Sequence, residues 1–218
     1  MNWTQQEQRA FIRAKTEVTA PLLCPEIKLH LITPSCSLWS ATEKDLVELA
    51  LPDPFWGFCW AGGQALARYL LDHAGLVFGK RVLVFGAGCG IEAIAAAMAG
   101  AAHVLAADID PLATEATQLN ATLNGVSVET TTRDMIGAPL SGYDLLLAGD
   151  MFYDAAFAAK VLLWLRALAQ TGMTILLADP GRGHIDETTA AKLATYQAPA
   201  DVDVGGDHLQ ATTVFALT

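Results

Sequence analysis

From Gly62 onward, short apolar runs alternate with longer segments whose apolar residues recur at helical spacing. RVLVFG (81–86), HVLAAD (103–108), SVETT (127–131), YDLLLAG (143–149) and MTILLAD (173–179) read as five strands. Between them, CGIEAIAAAMAG (89–100), the segment from Pro111 to about Leu123, and 155–170 read as helices. Asp110 stands just before Pro111 and Asp154 just before Ala155, each suited to cap the helix that follows. An earlier helix begins at GGQALARYLLDHAG, with Leu66, Tyr69 and Leu70 on one face and Gly75 as its stop. Upstream, 4–18 predicts a polar-faced helix and EIKLHLI (26–32) a short strand, followed by ALPDPFWGFCW (50–60), whose prolines break any regular element.

Strands separated by helical segments need right-handed crossovers, which build a parallel sheet. The tail departs from that order. After a helix expected at 186–196, DVDVGGDHLQATTVFALT reads as two strands joined around Gly205 and Gly206. Too few residues intervene for a crossover, so the last strand is expected to pair antiparallel. The fold class is therefore α/β, a Rossmann-like sheet of five parallel strands plus a C-terminal antiparallel hairpin. Residues 1–60 form an N-terminal helix and strand extension with its connector, and 61–218 form the ligand-binding domain.

Composition narrows the function. The chain has 218 residues, 53% hydrophobic and 17% charged, which suits a packed globule of one domain with an appendage. Its net charge is −10, with only 13 lysines and arginines, so a nucleic-acid partner is disfavoured. An acidic surface fits a basic partner such as a lysine-bearing protein segment, and equally serves solubility alone. The four cysteines contain no CxxC pair and the five histidines are scattered, so neither a metal site nor a disulfide framework is expected. No apolar run reaches spanning length. The N-terminus, with Glu7 and Glu17, resembles neither a signal nor a transit peptide, so a cytoplasmic, membrane-free protein is expected.

The candidate chemistry starts at VLVFGAGCG. Gly86, Gly88 and Gly90 lie between the first parallel strand and its helix, where bare backbone can turn tightly and approach a ligand. Asp108 ends the next strand beside that loop, where a carboxylate can accept both hydroxyls of a ribose. Nicotinamide dinucleotides and S-adenosylmethionine both use such a pair. The spacing here is GxGxG, not GxGxxG, and Glu92 falls in the first helical turn, close to where a pyrophosphate would sit. An acid there repels a double anion and tolerates a sulfonium. With the terminal hairpin, this favours S-adenosylmethionine.

CWAGGQALARYLLD, VLVFGAGCGIEAIAAAMAGA, LAADIDPLA, LLAGDMFYD and ADPGR, in that order, resemble the seven-strand methyltransferases. They are most similar to the electron transfer flavoprotein β-subunit lysine methyltransferase and its bacterial relatives, over about residues 50–183. The glycine loop with its acid is generic to the superfamily, whereas WxGGQALxRYLLD combined with GDMFYD is specific. The resemblance implies a protein-lysine methyltransferase in which Gly86, Gly88 and Gly90 line the methionine moiety and Asp108 holds the ribose, with Ala87 and Ile109 also at the cofactor. It implies Asp134 at the adenine amine with Met135 beside the ring, Trp60 as a cover, and Gly149 at the same edge. Val84 departs from the pattern, because these enzymes often carry an acid there. One link to the methionine amine is then missing or supplied from elsewhere.

AGDMFYD (148–154) closes the fourth strand next to the glycine loop, which makes Asp150 and Tyr153 the catalytic candidates. A lysine is mostly charged at neutral pH, and freeing its lone pair costs about 4–5 kcal/mol. A carboxylate raises that pKa further, so the role that fits Asp150 is to bind and aim the ammonium. Tyr153, Phe152 and Trp56 are expected to form an aromatic sleeve around the amine, and Asp179 and Arg182 in DPGR to shape the substrate entrance. Competing readings are methylation of a ribosomal protein or of a small molecule. An NAD-dependent oxidoreductase or a silent binding module stands further off.

Overall fold

The alternation of side chains along the central strands sets the layering of the fold. In the computed structural model, which describes residues 3–185, 189–199 and 208–217, strand β3 (Arg81–Phe85) sends Val82 and Val84 into one core and Leu83 and Phe85 into the other. Strands β6 (Leu145–Gly149) and β7 (Thr174–Asp179) divide their residues the same way, as a two-residue period requires of a sheet covered on both faces. Helices α3 (Ala61–Asp72) and α4 (Ile91–Met98) fill the first core, and α6 (Ala155–Ala169) fills the second.

The sheet also contains β4 (His103–Ala107), β5 (Glu129–Thr131), β8 (Ala190–Pro199) and β9 (Leu209–Leu217), in the order β5-β4-β3-β6-β7-β9-β8. The first five strands of that order are mutually parallel; β9 pairs antiparallel with both β7 and β8. Five parallel strands and a terminal antiparallel pair agree with the sequence pattern. The arms of the pair do not. The helix expected at 186–196 is instead strand β8 from Ala190, and the strand read at 201–204 lies outside the described residues. Pairing with β9 supplies the backbone partners that override the helical leaning of AAKLAT.

The upstream segment carries α1 (Gln5–Lys15), the paired strands β1 (Glu17–Thr19) and β2 (Leu29–Leu31), and α2 (Glu43–Glu48), which the apolar pattern does not signal. Thr42 and Asp45 form a capping box that starts α2. This segment docks on α5 (Pro111–Leu123), where Ile12, Leu38 and Trp56 share a core with Leu112, Ala116 and Leu119. Arg9 adds a bond to the buried Glu115 carboxylate of α5.

Candidate active site

Register brings the chemistry to one edge. Phe85 pairs with Ala107 and Gly149 with Ala178, so the glycine loop, Asp108, Asp150 and Asp179 all leave the sheet at its carboxyl end. Asp108 Oδ2 accepts the Gly88 N–H at 2.9 Å, and Oδ1 accepts the Asp110 N–H at 3.0 Å. Burial pushes this carboxyl up against the pull of both bonds. A Cβ built on Gly88 meets nothing within 4 Å, and its φ of +52° leaves bare backbone facing open space above Asp108. A ligand can lie there directly on the main chain, so the loop fits a nucleoside held by its sugar.

The other loop glycines face protein. Met151 covers Gly86, and a Cβ on Gly90 would stand 2.7 Å from Thr117 Oγ1. The loop is held from below by α5. Asn120, wholly buried, donates to the Cys89 carbonyl at 2.8 Å and accepts the His30 N–H at 2.7 Å, joining the upstream segment to the loop. No motif in the sequence marks Asn120 or Thr117 for that work.

Asp150 follows β6 with a φ of +59°, a left-handed backbone that aspartate tolerates better than most residues. Its carboxylate is 9% exposed; Oδ2 accepts the Gly63 N–H of α3 at 3.0 Å and Oδ1 accepts from the Arg182 guanidinium at 2.7 Å. Arg182 also reaches Asp179 Oδ2 at 3.3 Å, and Asp179 Oδ1 accepts the N–H groups of Gly181 and Arg182. Burial raises the Asp150 pKa, with Arg182 opposing it. Asp150, Asp179 and Arg182 thus form one ion-pair network, and a cation approaching Asp150 must share it with Arg182 or displace it.

The aromatic sleeve expected from Trp56, Phe152 and Tyr153 does not form. Trp56 and Phe152 are essentially inaccessible, Trp56 in the core beneath α5 and Phe152 in the core beneath α6. Tyr153 alone is open, stacked on Phe157 at 5.4 Å between centroids. Its phenol pKa is raised by partial burial and then by Asp154 and Asp108, so the ring shares the rim with Asp108. At the start of α3, Trp60 packs edge-on against Phe55 and Phe58 and donates its indole N–H to the Phe55 carbonyl, and Phe55 itself is exposed.

Of the remaining candidates, Ile109 is highly exposed beside Asp108, and Ala87 is buried within the loop. Asp134 is exposed after β5 and closes a turn onto the Ile136 N–H, while Met135 packs into the core under α6. Gly149 is closed in by Glu92 and Gly63. Glu92 itself does not face the loop's open side as its helical position implied. It is 3% exposed and turned inward, with Oε1 accepting the Gly149 N–H at 3.0 Å. A groove of about 470 Å³ lined by residues such as Pro139, Tyr143 and Met173 lies at the amino edge of the sheet, away from all of these groups.

Known proteins are similar to this chain in sequence and in fold. The family model for ribosomal protein L11 methyltransferase (PrmA) matches residues 65–149. The electron transfer flavoprotein beta subunit lysine methyltransferase of Danio rerio is 41% identical over 206 residues, covering 91% of this chain and 79% of that protein. Its Homo sapiens counterpart is 40% identical over 216 residues, 96% of this chain and 81% of that one. Among solved structures, magnesium protoporphyrin IX methyltransferase from Synechocystis PCC 6803 with bound SAM superposes with a TM-score of 0.54 at 18% identity, covering 72% of this chain and 79% of that one. That likeness shows a shared fold.

Proposed function

Because the chain belongs to the family of electron transfer flavoprotein β-subunit lysine methyltransferases, we propose that it transfers a methyl group from S-adenosylmethionine to lysine in an electron transfer flavoprotein β subunit. The observation that carries this reading is one sheet edge holding both the open Gly88–Asp108 cradle and the buried, cation-binding Asp150. When bound, the cofactor supplies an electrophilic methyl on a positively charged sulfur.

The chain's own residues do the rest by holding and aiming. An ionised carboxylate offers roughly four acceptor sites. Asp108 has two of them on backbone N–H groups and the others free for the two ribose hydroxyls. Asp150 binds a lysine ammonium in place of one Arg182 contact and points it along the rim. A carboxylate stabilises the charged amine, so proton loss to water follows aiming and is not driven by Asp150. The open face of Tyr153 supports a cationic or methylated amine. Acceleration then rests mainly on orientation. The net charge of −10 favours a lysine-bearing partner. A reducing cytoplasm suits the four free thiols, and among the described residues no helix is long and apolar enough to cross a membrane.

The test is to incubate the protein with purified electron transfer flavoprotein and methyl-labelled cofactor, then locate the label by peptide mass spectrometry. Label on a β-subunit lysine is expected. Label confined to a ribosomal protein in cell extract would replace this reading with the second one, which the match over residues 65–149 favours. Asp150→Asn should lower the methylation rate by about a hundredfold or more while homocysteine-product binding persists. An unchanged rate removes Asp150 from the mechanism.

A further inference from the structure

Two carboxyls are buried where α3, α4 and the end of β6 converge, and they are treated differently by their surroundings. Asp150 has a guanidinium and the Gly63 N–H. Glu92 has the Gly149 N–H as its one donor from another described residue, and no described Lys, Arg or His lies within ion-pair range. Its second oxygen lies toward Gly63, 3.8 Å from where a Cβ would stand. The groups that face it are Cys89 from the glycine loop, Cys59 from the connector and Asp150 from the end of β6, none of them cationic. A glutamine would accept the Gly149 N–H equally well. The carboxyl therefore adds a charge that folding does not require, since burying an acid without a counter-ion is costly. Burial, with Cys89 and Asp150 adding to it, holds Glu92 well above the ordinary carboxylate range.

Position indicates what this charge meets. The order β4-β3-β6 puts Asp108 at one side of the glycine loop and Glu92, beneath the end of β6, at the other, about two strand spacings or 10 Å apart. A nucleoside gripped by its sugar at Asp108 and lying across Gly88 directs its 5′ arm toward Glu92. Val84, where similar enzymes often carry an acid, is wholly buried in the core beside α3 and α4, on the same face of the sheet. An ammonium can donate to the second oxygen of Glu92; a sulfonium has no proton to donate. We propose, resting on the methyl-transfer reading, that Glu92 holds the α-ammonium of the cofactor's methionine arm, releasing its own proton to solvent as that cation arrives.

Calorimetric titration in buffers of different ionisation enthalpy, from about pH 5.5 to 8, counts that proton. S-Adenosylhomocysteine carries the arm; 5′-methylthioadenosine lacks it but keeps the sugar, so protons from Asp108 and Asp110 appear with both ligands. The wild-type protein should release up to about one more proton with S-adenosylhomocysteine than with methylthioadenosine, and bind the former more tightly as pH rises. Glu92→Gln, verified as folded by its melting curve, should lose that difference and bind S-adenosylhomocysteine about tenfold more weakly, with methylthioadenosine affinity unchanged. Equal proton counts for the two ligands in the wild type, or a variant that weakens both ligands alike, would overturn the role. A wild-type protein that binds neither ligand overturns the methyl-transfer reading itself.

Discussion

Asp108 orders the glycine loop through the Gly88 N–H, and under the proposed function its remaining acceptor positions take the ribose hydroxyls. Asp108→Ala should weaken S-adenosylhomocysteine binding by about 10- to 150-fold, the value of roughly 1.5–3 kcal/mol for hydrogen bonds to a charged group, as read by calorimetry. The strand-end position of Asp108 is readable from HVLAAD because a strand's end and the loop beside it follow from the apolar run alone. Phe152 and Tyr153 show the opposite. They are neighbours with the same aromatic character, yet one is inaccessible and the other open. Which way each ring turns depends on the irregular backbone after β6, where Asp150 is left-handed and no period operates. The helix turn of Glu92 is readable from the sequence, but its inward rotamer follows from the Gly149 N–H, a group 57 residues away.

At the level of elements, caps were the most readable features. Asp110 accepts the Leu112 N–H at 2.8 Å and Asp154 accepts the Phe157 N–H at 2.8 Å, as their positions before Pro111 and Ala155 imply. Asp154→Ala should destabilise the protein by about 1 kcal/mol in urea unfolding, with cofactor affinity unaltered, because this carboxylate works on α6 and not on the rim. Four of the five parallel strands are recognisable as mainly buried apolar runs bounded by turn residues, whereas β5, ETT, is exposed and half-buried and rests on its pairing with β4. Strand β8 is not recognisable in that way. Its exposed and half-buried residues 191–197, AKLATYQ, favour a helix by local propensity, and only the ladder with β9 converts them. Helix α2 is illegible in the sequence for a related reason: six residues with one buried leucine carry too little periodicity.

Across the whole molecule, the rim collects buried and half-buried acids. Glu92, Asp108, Asp110 and Asp150 are all held above their ordinary values, in each case with burial as the largest cause. Such groups bind protons more tightly folded than unfolded. Stability therefore falls as pH climbs from the ordinary carboxyl values, 4.5 for glutamate and 3.8 for aspartate, toward the raised ones. The exposed acids Glu7, Glu17 and Asp45 are held low by bonds from Thr4, Thr33 and Thr42 and act only below those ordinary values. The melting temperature of the ligand-free protein should thus be highest close to those ordinary carboxyl values and decline as pH rises above them. Glu92→Gln should flatten that decline and melt above the wild type at neutral pH, as followed by circular dichroism. A flat wild-type profile would mean the rim acids are solvated.

The sequence by itself determined the parallel sheet, the glycine loop, the acid at the next strand's end and the helix caps, because each depends on residues close together in the chain. Only the tertiary structure decided that Arg182 binds Asp150, that Trp56 and Phe152 are core, and that Glu92 turns inward. Those outcomes depend on contacts between segments tens of residues apart, and local patterning carries no record of them.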